Sequence, residues 1–318
     1  MSRLSVVIPA RGEPFLLPTV QDLLKNAAGD IEVIVVLEGW WPDPPLPHDD
    51  KRLRVIHHGK AKGMREAINA GLRIATGEYL MKIDAHCLVG PGFDEILKAD
   101  CDGDWLVVPR RYGLDPYAWT TNNAETRKAP IDAHFLSYPY VAGRSGGGLH
   151  GTVWTERAKA RLDHLVDDEM SSQGSCWFAT RKHWERIGPM EIAKYGNFIQ
   201  EFQELGCKTW LGGGRVVVNK KTFYAHLHKG KTHGRGYWIS KKEMGDGAKF
   251  AVDYWMNDRW AERVRDMREL VARFWPVPTW PVASDGSLDW DEVERKTAEF
   301  TKIYQSGKHD FSPMGFEM

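Results

Sequence analysis

The sequence predicts an α/β protein: a mostly parallel sheet flanked by helices, with a helical extension at the C-terminal end. Three observations lead there. Short apolar runs rich in β-branched residues alternate with stretches of helical spacing through the first hundred or so residues, and such alternation, joined by right-handed crossovers, builds a parallel sheet. Arg11, Glu38 and Asp84 stand just where three of those runs stop, and ligands of open parallel sheets bind beyond the carboxyl ends of strands. Finally, 318 residues with 42% hydrophobic and 27% charged composition are those of a soluble globular chain, long enough for one large domain or two smaller ones.

The elements follow in order. LSVVIP (4–9) is the first strand, and a polar turn leads into a helix running to about Ala27. IEVIVVL (31–37) is the second strand and 53–57 the third. Helical spacing over 66–75 precedes a fourth strand, 79–83, that stops at Asp84. Residues 110–155 lose periodicity and are rich in Gly, Pro and polar groups. A segment of that length without structure is usually functional. Its 145-SGGG-148 run is either a phosphate-cradling loop or part of a mobile lid or acceptor loop.

Periodicity returns at 174–178, and a helix follows from about Lys182. A further helix is expected around 198–205, with Phe198, Ile199, Phe202 and Leu205 on one face and Glu201 and Glu204 on another. The strand 215–227 alternates with period two, which puts Tyr224, His226 and His228 on one face and Phe223, Ala225 and Leu227 on the other. One long amphipathic helix is expected over about 250–274, ending at Pro276, and a last one near 289–305. The resulting division is an α/β unit over 1–249, with one part to about 104, an insert at 110–155 and a second part from about 170, and a helical extension over 250–318.

Composition narrows the function. Forty-three Lys and Arg balance forty-three Asp and Glu, so any nucleic-acid partner needs a local basic patch. The four cysteines, Cys87, Cys101, Cys176 and Cys207, are widely spaced without a CxxC pair. This argues against a zinc ribbon or disulfide framework and suits a reducing compartment. No apolar run approaches the roughly 18–20 residues that span a bilayer. The N-terminus passes straight into a strand without the apolar core of a signal peptide. The expected location is the cytoplasm, the host's for a viral protein.

This order of elements resembles the GT-A (Rossmann-like) glycosyltransferases, family-2-like members in particular. VVIPARGEP resembles their first strand and the turn that meets the nucleotide, which the resemblance assigns to Pro9, Arg11 and Glu13. IEVIVVLEG resembles the second strand, with Glu38 where an aspartate usually holds the base or ribose. The run 59-GKAKGMREAINAGLRIATGEYLMKIDAH-86 resembles the passage that ends in the family's Asp-x-Asp motif. Here that motif reads Asp84-Ala85-His86-Cys87, similar to the polypeptide N-acetylgalactosaminyltransferases. GSCWFA (174–179), Glu201, Glu204, Lys208, Trp210, Gly213-Gly214 and His226 fall in the same order as that group's later motifs. Residues 105–170 and about the last 80 find no counterpart.

The resemblance implies a UDP-sugar donor and a divalent cation at its pyrophosphate, Mn2+ or else Mg2+, held by Asp84, His86 and His226. Carboxylate oxygen with imidazole nitrogen suits such an ion, and the alternative for Asp84 and His86 is a solvated strand end. Lys62 or Arg65 is expected at the diphosphate, the alternative being a surface arginine paired with Glu66. For Glu13 the alternative is capping of the helix that follows. Trp177 and Trp210 either border the sugar or belong to the core. The candidate catalytic carboxylates are Glu201 first and Glu204 second, the latter with a salt bridge to Lys208 as its alternative. Phe202 stands where inverting relatives place their general base. Either Glu201 takes that role, or the reaction retains configuration without it, the outcome slightly favoured.

The acceptor is the open term. Segment 228–242, HKGKTHGRGYWISKK, holds five Lys and Arg, including Lys229, and no acid. It reads as a loop closing on the diphosphate, a patch that tracks nucleic-acid phosphates, or a solvated face. Two acceptor classes follow: a hydroxymethylated base in DNA, as in viral DNA modification, or a surface glycan. A nucleotidyltransferase, or a non-catalytic relative that binds sugar or nucleic acid, is the reading from another functional class.

Overall fold

A computed structural model describes residues 2–121, 129–140, 147–307 and 311. In chain order the elements begin with β1 (Leu4–Ala10), α1 (Leu16–Asn26), β2 (Ile31–Glu38), β3 (Leu53–His58), α2 (Met64–Ile74) and β4 (Tyr79–Ile83). There follow β5 (Cys87–Val89), α3 (Phe93–Ala99), β6 (Trp105–Asp115), β7 (Thr120–Thr121), β8 (His134–Leu136) and β9 (Gly151–Val153). Then come α4 (Thr155–Ala160), β10 (Val166–Asp168), β11 (Cys176–Thr180), α5 (Arg181–Ile187), α6 (Glu201–Leu211) and β12 (Arg215–His226). The chain closes with α7 (Gly230–His233), α8 (Lys241–Met256), α9 (Met267–Phe274) and α10 (Trp290–Gln305).

One large sheet has the order β10-β12-β6-β11-β4-β1-β2-β3, with β5 added to β12 and β7 to β6. Strands β3, β2, β1 and β4 are mutually parallel, as the alternation predicts. β11 enters antiparallel between β4 and β6, and β12 runs parallel to β6. Every residue of β2 is buried, and β1 is nearly so, the pattern of strands covered on both faces. Helix α2 approaches β1 closely through Gly71. A Cβ there would lie 2.4 Å from Val7 Cγ1 and 3.3 Å from Val36 Cγ2. Gly71→Ala gains about 1 kcal/mol of helix propensity. It also overpacks two stiff β-branched side chains, at about 1–3 kcal/mol. The expected net effect is a modest loss of stability, read as a lower urea midpoint.

Three expectations are corrected. Residues 110–155 are not uniformly irregular. β6 continues to Asp115, β8 pairs with β9, and Arg110 makes a two-pronged ion pair with Asp132 at 2.7 Å. Charged side chains satisfied inside the protein mask the alternation that marks a strand. Of the SGGG run, Ser145 and Gly146 lie outside the described residues, and the Gly148 N–H donates to the Pro139 carbonyl at 2.9 Å. The helix expected from 198 begins at Glu201, because Gln200 is left-handed at φ 59° and separates Phe198 and Ile199 from it. The long helix expected over 250–274 is two. Asp258 turns left-handed at φ 49°, and Asp266 with Glu269 forms a capping box that starts α9. The division placed at 249/250 falls inside α8, and one apolar core runs from Leu4 through Trp255 and Trp280 to Phe300.

All four cysteines are unpaired thiols. Among the described residues, no helix is long and apolar enough to cross a membrane.

Candidate metal and nucleotide-sugar site

The site forms where β4 stops. The Asp84 N–H donates to the Ser175 carbonyl at 2.9 Å, which fixes the aspartate at the sheet's carboxyl edge. Three residues on, the chain re-enters the sheet as β5, whose Cys87 is opposite His226 at the end of β12. The Leu227 N–H donates to the His86 carbonyl at 3.1 Å. Backbone pairing therefore brings together residues 140 positions apart.

Asp84 Oδ2 lies 3.3 Å from His226 Nε2 and 3.9 Å from His86 Nε2, and the two imidazole nitrogens are 3.1 Å apart. Among the described residues these three are the grouping able to hold a metal ion, with one donor atom from each and all within 4.8 Å of one another. A carboxylate oxygen with two imidazole nitrogens is a mixed set that fits Mn2+ and tolerates Mg2+ less well. Burial would raise the Asp84 pKa, but the Lys82 ammonium, with His226 and His86, holds it well below the usual carboxylate range. Burial pushes His226 down to about 4, opposed by Asp84, so its imidazole is neutral at pH 7, as a ligand must be.

Glu13 has a task that sequence reasoning missed. It does not cap α1, whose N-terminus carries no side-chain cap. Its buried carboxylate accepts from His86 Nδ1 at 3.0 Å and from the Lys229 ammonium. Burial would raise Glu13, but His86 and Lys229 keep it low and ionised. An ionised carboxylate only accepts, so His86 carries its proton on Nδ1 and turns the Nε2 lone pair inward. Glu13→Gln is expected to weaken Mn2+ binding in the presence of UDP by about 10–100-fold, as outer partners of metal ligands do. Calorimetric titration checks it.

The other expected residues divide. Pro9 is half-buried at the end of β1, and Arg11 is exposed with its guanidinium 4.7 Å from the Tyr237 ring centroid. The Gly12 and Gly236 backbones pack together, so segment 228–240 meets the loop after β1. Glu38 is buried with both oxygens engaged, one by His58 and the other by the Lys62 and Gly63 N–H groups, so it shapes the turn before α2. The Lys62 side chain is exposed.

Arg65 is not at the surface and does not pair with Glu66. It is fully buried against Glu204 and donates to the Glu191 and Ile199 carbonyls at 2.8 and 2.7 Å, while Glu66 pairs with Arg73. A guanidinium with no water must find such partners. Glu204 also meets Lys208 at 2.8 Å and accepts from the Glu191 N–H at 3.0 Å. Trp177 and Trp210 are core residues. Trp177 is wholly buried, stacks on Trp184 and donates to Glu201 Oε1 at 2.8 Å, and Trp210 donates to the Glu169 carbonyl at 3.1 Å.

Glu201 is buried beside the site with its second oxygen 3.1 Å from Lys82 Nζ, which also donates to Asp84 Oδ1 at 2.6 Å. Burial raises the Glu201 pKa and Lys82 opposes it. Lys82 was not foreseen, although a lysine inside the apolar run YLMKI was its signal.

With this geometry established, comparison with known proteins is informative. Residues 5–137 match the family model "Glycosyl transferase family 2". The Drosophila melanogaster protein carried under the name polypeptide N-acetylgalactosaminyltransferase 13 is 25% identical over 250 residues, covering 72% of this chain and 42% of that one. Glycosyltransferase GlyG of Streptococcus pneumoniae is 31% identical over 123 residues, 35% of this chain and 40% of that protein. A crystal structure of GalNAc-T7 with UDP, GalNAc and Mn2+ superposes at a TM-score of 0.61 with 14% identity, over 99% of this chain and 59% of that one. The fold is GT-A and the N-terminal part is family-2-like. The chain spans less than half the length of these two curated relatives.

Proposed function

We propose that this chain is a metal-dependent glycosyltransferase that moves a sugar from a UDP-sugar to an acceptor hydroxyl. The observation that carries the reading is the convergence of Asp84 Oδ2, His86 Nε2 and His226 Nε2 at the carboxyl edge of the sheet. Mn2+ or Mg2+ held by these three supplies Lewis acidity toward a leaving diphosphate. Glu13 orients His86 for that task. Arg11 and Lys229 are the cations that face the donor side from the loop after β1 and from segment 228–240.

Retention of configuration is the stereochemical reading. Both candidate carboxylates are occupied, Glu204 by Arg65 and Lys208 and Glu201 by Trp177 and Lys82. A general base must be able to reach the acceptor proton. Glu201 and Glu204 are 5% and 1% exposed, which favours a reaction that does not use them as bases.

For the acceptor we adopt a hydroxymethylated pyrimidine in DNA. What supports it is an exposed aromatic and basic rim beside the site. Trp238 and Tyr117 are 79% and 84% exposed, and His233 packs on Phe15 and Tyr117. Aromatic faces with nearby cations suit unstacked bases, and a base in duplex DNA would have to flip out to react. A glycan is the competing acceptor. The test is a mass-spectrometric screen of UDP-sugars with Mn2+ against hydroxymethylated DNA, oligosaccharides and peptides. Gain of a hexose or N-acetylhexosamine mass on the DNA alone is expected. The same gain on an oligosaccharide instead overturns the DNA reading, and absence of any Mn2+-dependent UDP binding overturns the transferase itself.

A further inference from the structure

We infer that Lys82 is a positioning residue that sets the net charge of the nucleotide-sugar site by neutralising Glu201 beside Asp84. The inference rests on the reading of the site given above. Lys82 is completely buried in β4, an exceptional place for an ammonium. Its Nζ has three acceptors: Asp84 Oδ1 at 2.6 Å, the Gly174 carbonyl at 2.5 Å and Glu201 Oε2 at 3.1 Å. All three protons of the ammonium are therefore used. Strand alternation puts Lys82 and Asp84 on the same side of the sheet, two residues apart.

Two consequences follow from the geometry. Asp84 Oδ1 is engaged by Lys82, which leaves Oδ2 as the oxygen that meets His226 and His86. Glu201 is fixed at both ends, by Trp177 Nε1 on one oxygen and Lys82 on the other. It also sits tightly against Gly174, where a Cβ would fall 2.6 Å from Glu201 Oε2. Glu201 is thus part of a buried charge cluster rather than a carboxylate held ready for an acceptor.

The ion-paired side chains of that cluster are Asp84, Glu201 and Glu13 against Lys82 and Lys229, three negative and two positive, so the cluster itself contributes one net negative charge. A dication then gives a net positive site for a diphosphate. Without Lys82 the same dication brings the site only to neutrality. Mn2+ alone would bind better and the diphosphate worse, and removing Glu201's charge would do the reverse.

The test is calorimetric titration of the full chain with Mn2+ alone and with UDP at saturating Mn2+, for wild type, Lys82→Met, Glu201→Gln and the double variant. Unit charges at these separations shift binding by about tenfold or more where solvent is partly excluded. Lys82→Met is expected to bind Mn2+ about tenfold tighter and UDP about tenfold weaker. Glu201→Gln should show the opposite signs, and the double variant should return both affinities close to wild type. If Lys82→Met fails to fold, Glu201→Gln alone still carries the test, since its shape is conserved and its expected signs are distinctive. Parallel loss of Mn2+ and UDP affinity in Lys82→Met or in Glu201→Gln would mark the cluster as scaffold and overturn the inference. A wild-type protein that binds Mn2+ without UDP, or neither, brings down the donor-site reading as well, which separates the two failures.

Discussion

Asp84→Asn is expected to lower Mn2+-dependent UDP binding by about a hundredfold or more, with the fold intact. The lower bound follows from comparison with outer partners. Loss of a group that merely orients a metal ligand weakens metal binding by about 10–100-fold. Asp84 contributes the one anionic donor of the three, so its loss should equal or exceed the top of that range. Asparagine keeps the size of the side chain, and its oxygen can still accept from Lys82, so the local packing need not change. The two histidines alone leave a neutral, two-nitrogen site that attracts a dication weakly. Titration with UDP and Mn2+ measures the effect, and circular dichroism controls for folding. UDP binding that stays metal-dependent and unweakened in Asp84→Asn would remove the aspartate from the metal site and, with it, the main support for the transferase reading.

Strands β1 and β2 were readable because buried parallel strands are long runs of β-branched residues, and these two are just that. The grouping of Asp84, His86 and His226 was readable for a different reason. Asp84 and His86 are two positions apart in the chain, and the alternation of β12 marks which face His226 occupies. Other features depend on tertiary pairing that no local pattern reveals. Arg65 lies on a helix whose spacing is compatible with exposure, and only the contact with Glu204, 139 residues later, explains its burial. Glu13 looks like a helix cap because carboxylates near helix starts often are, yet its partners come from the turn after β4 and from the segment after β12. The break between α8 and α9 was hidden because apolar periodicity continues across it, whereas a left-handed backbone and a capping box end and restart the helix. Lys82 was the most readable of the missed residues. A lysine among buried strand positions has to meet a carboxylate, and the aspartate two residues on was already in view.

Glu204→Ala is expected to destabilise the protein by about 3–5 kcal/mol, the penalty for stranding one member of a buried ion pair. Arg65 and Glu204 are 0% and 1% exposed, and the guanidinium also lies 4.4 Å from the Tyr195 ring centroid. Once Glu204 is removed, the groups left in direct contact with the guanidinium are the Glu191 and Ile199 carbonyls and the Tyr195 ring, none of them charged. Lys208 loses its ion-pair partner at the same time, keeping the Pro189 carbonyl at 3.0 Å, and burial already pushes that ammonium down to about 8. Urea unfolding measures the loss, and Arg65→Met with Glu204→Met tests its cause. If the stranded charge is what destabilises Glu204→Ala, replacing both partners with apolar side chains should recover much of the stability, as such exchanges do for buried pairs elsewhere. The same pair of variants decides between the two roles of Glu204. As a structural anion its loss lowers stability first and transfer only as the folded fraction falls, so activity per folded molecule is retained. Glu204→Gln that folds with full stability yet loses transfer would instead return Glu204 to the reacting centre, against its burial and its three internal partners.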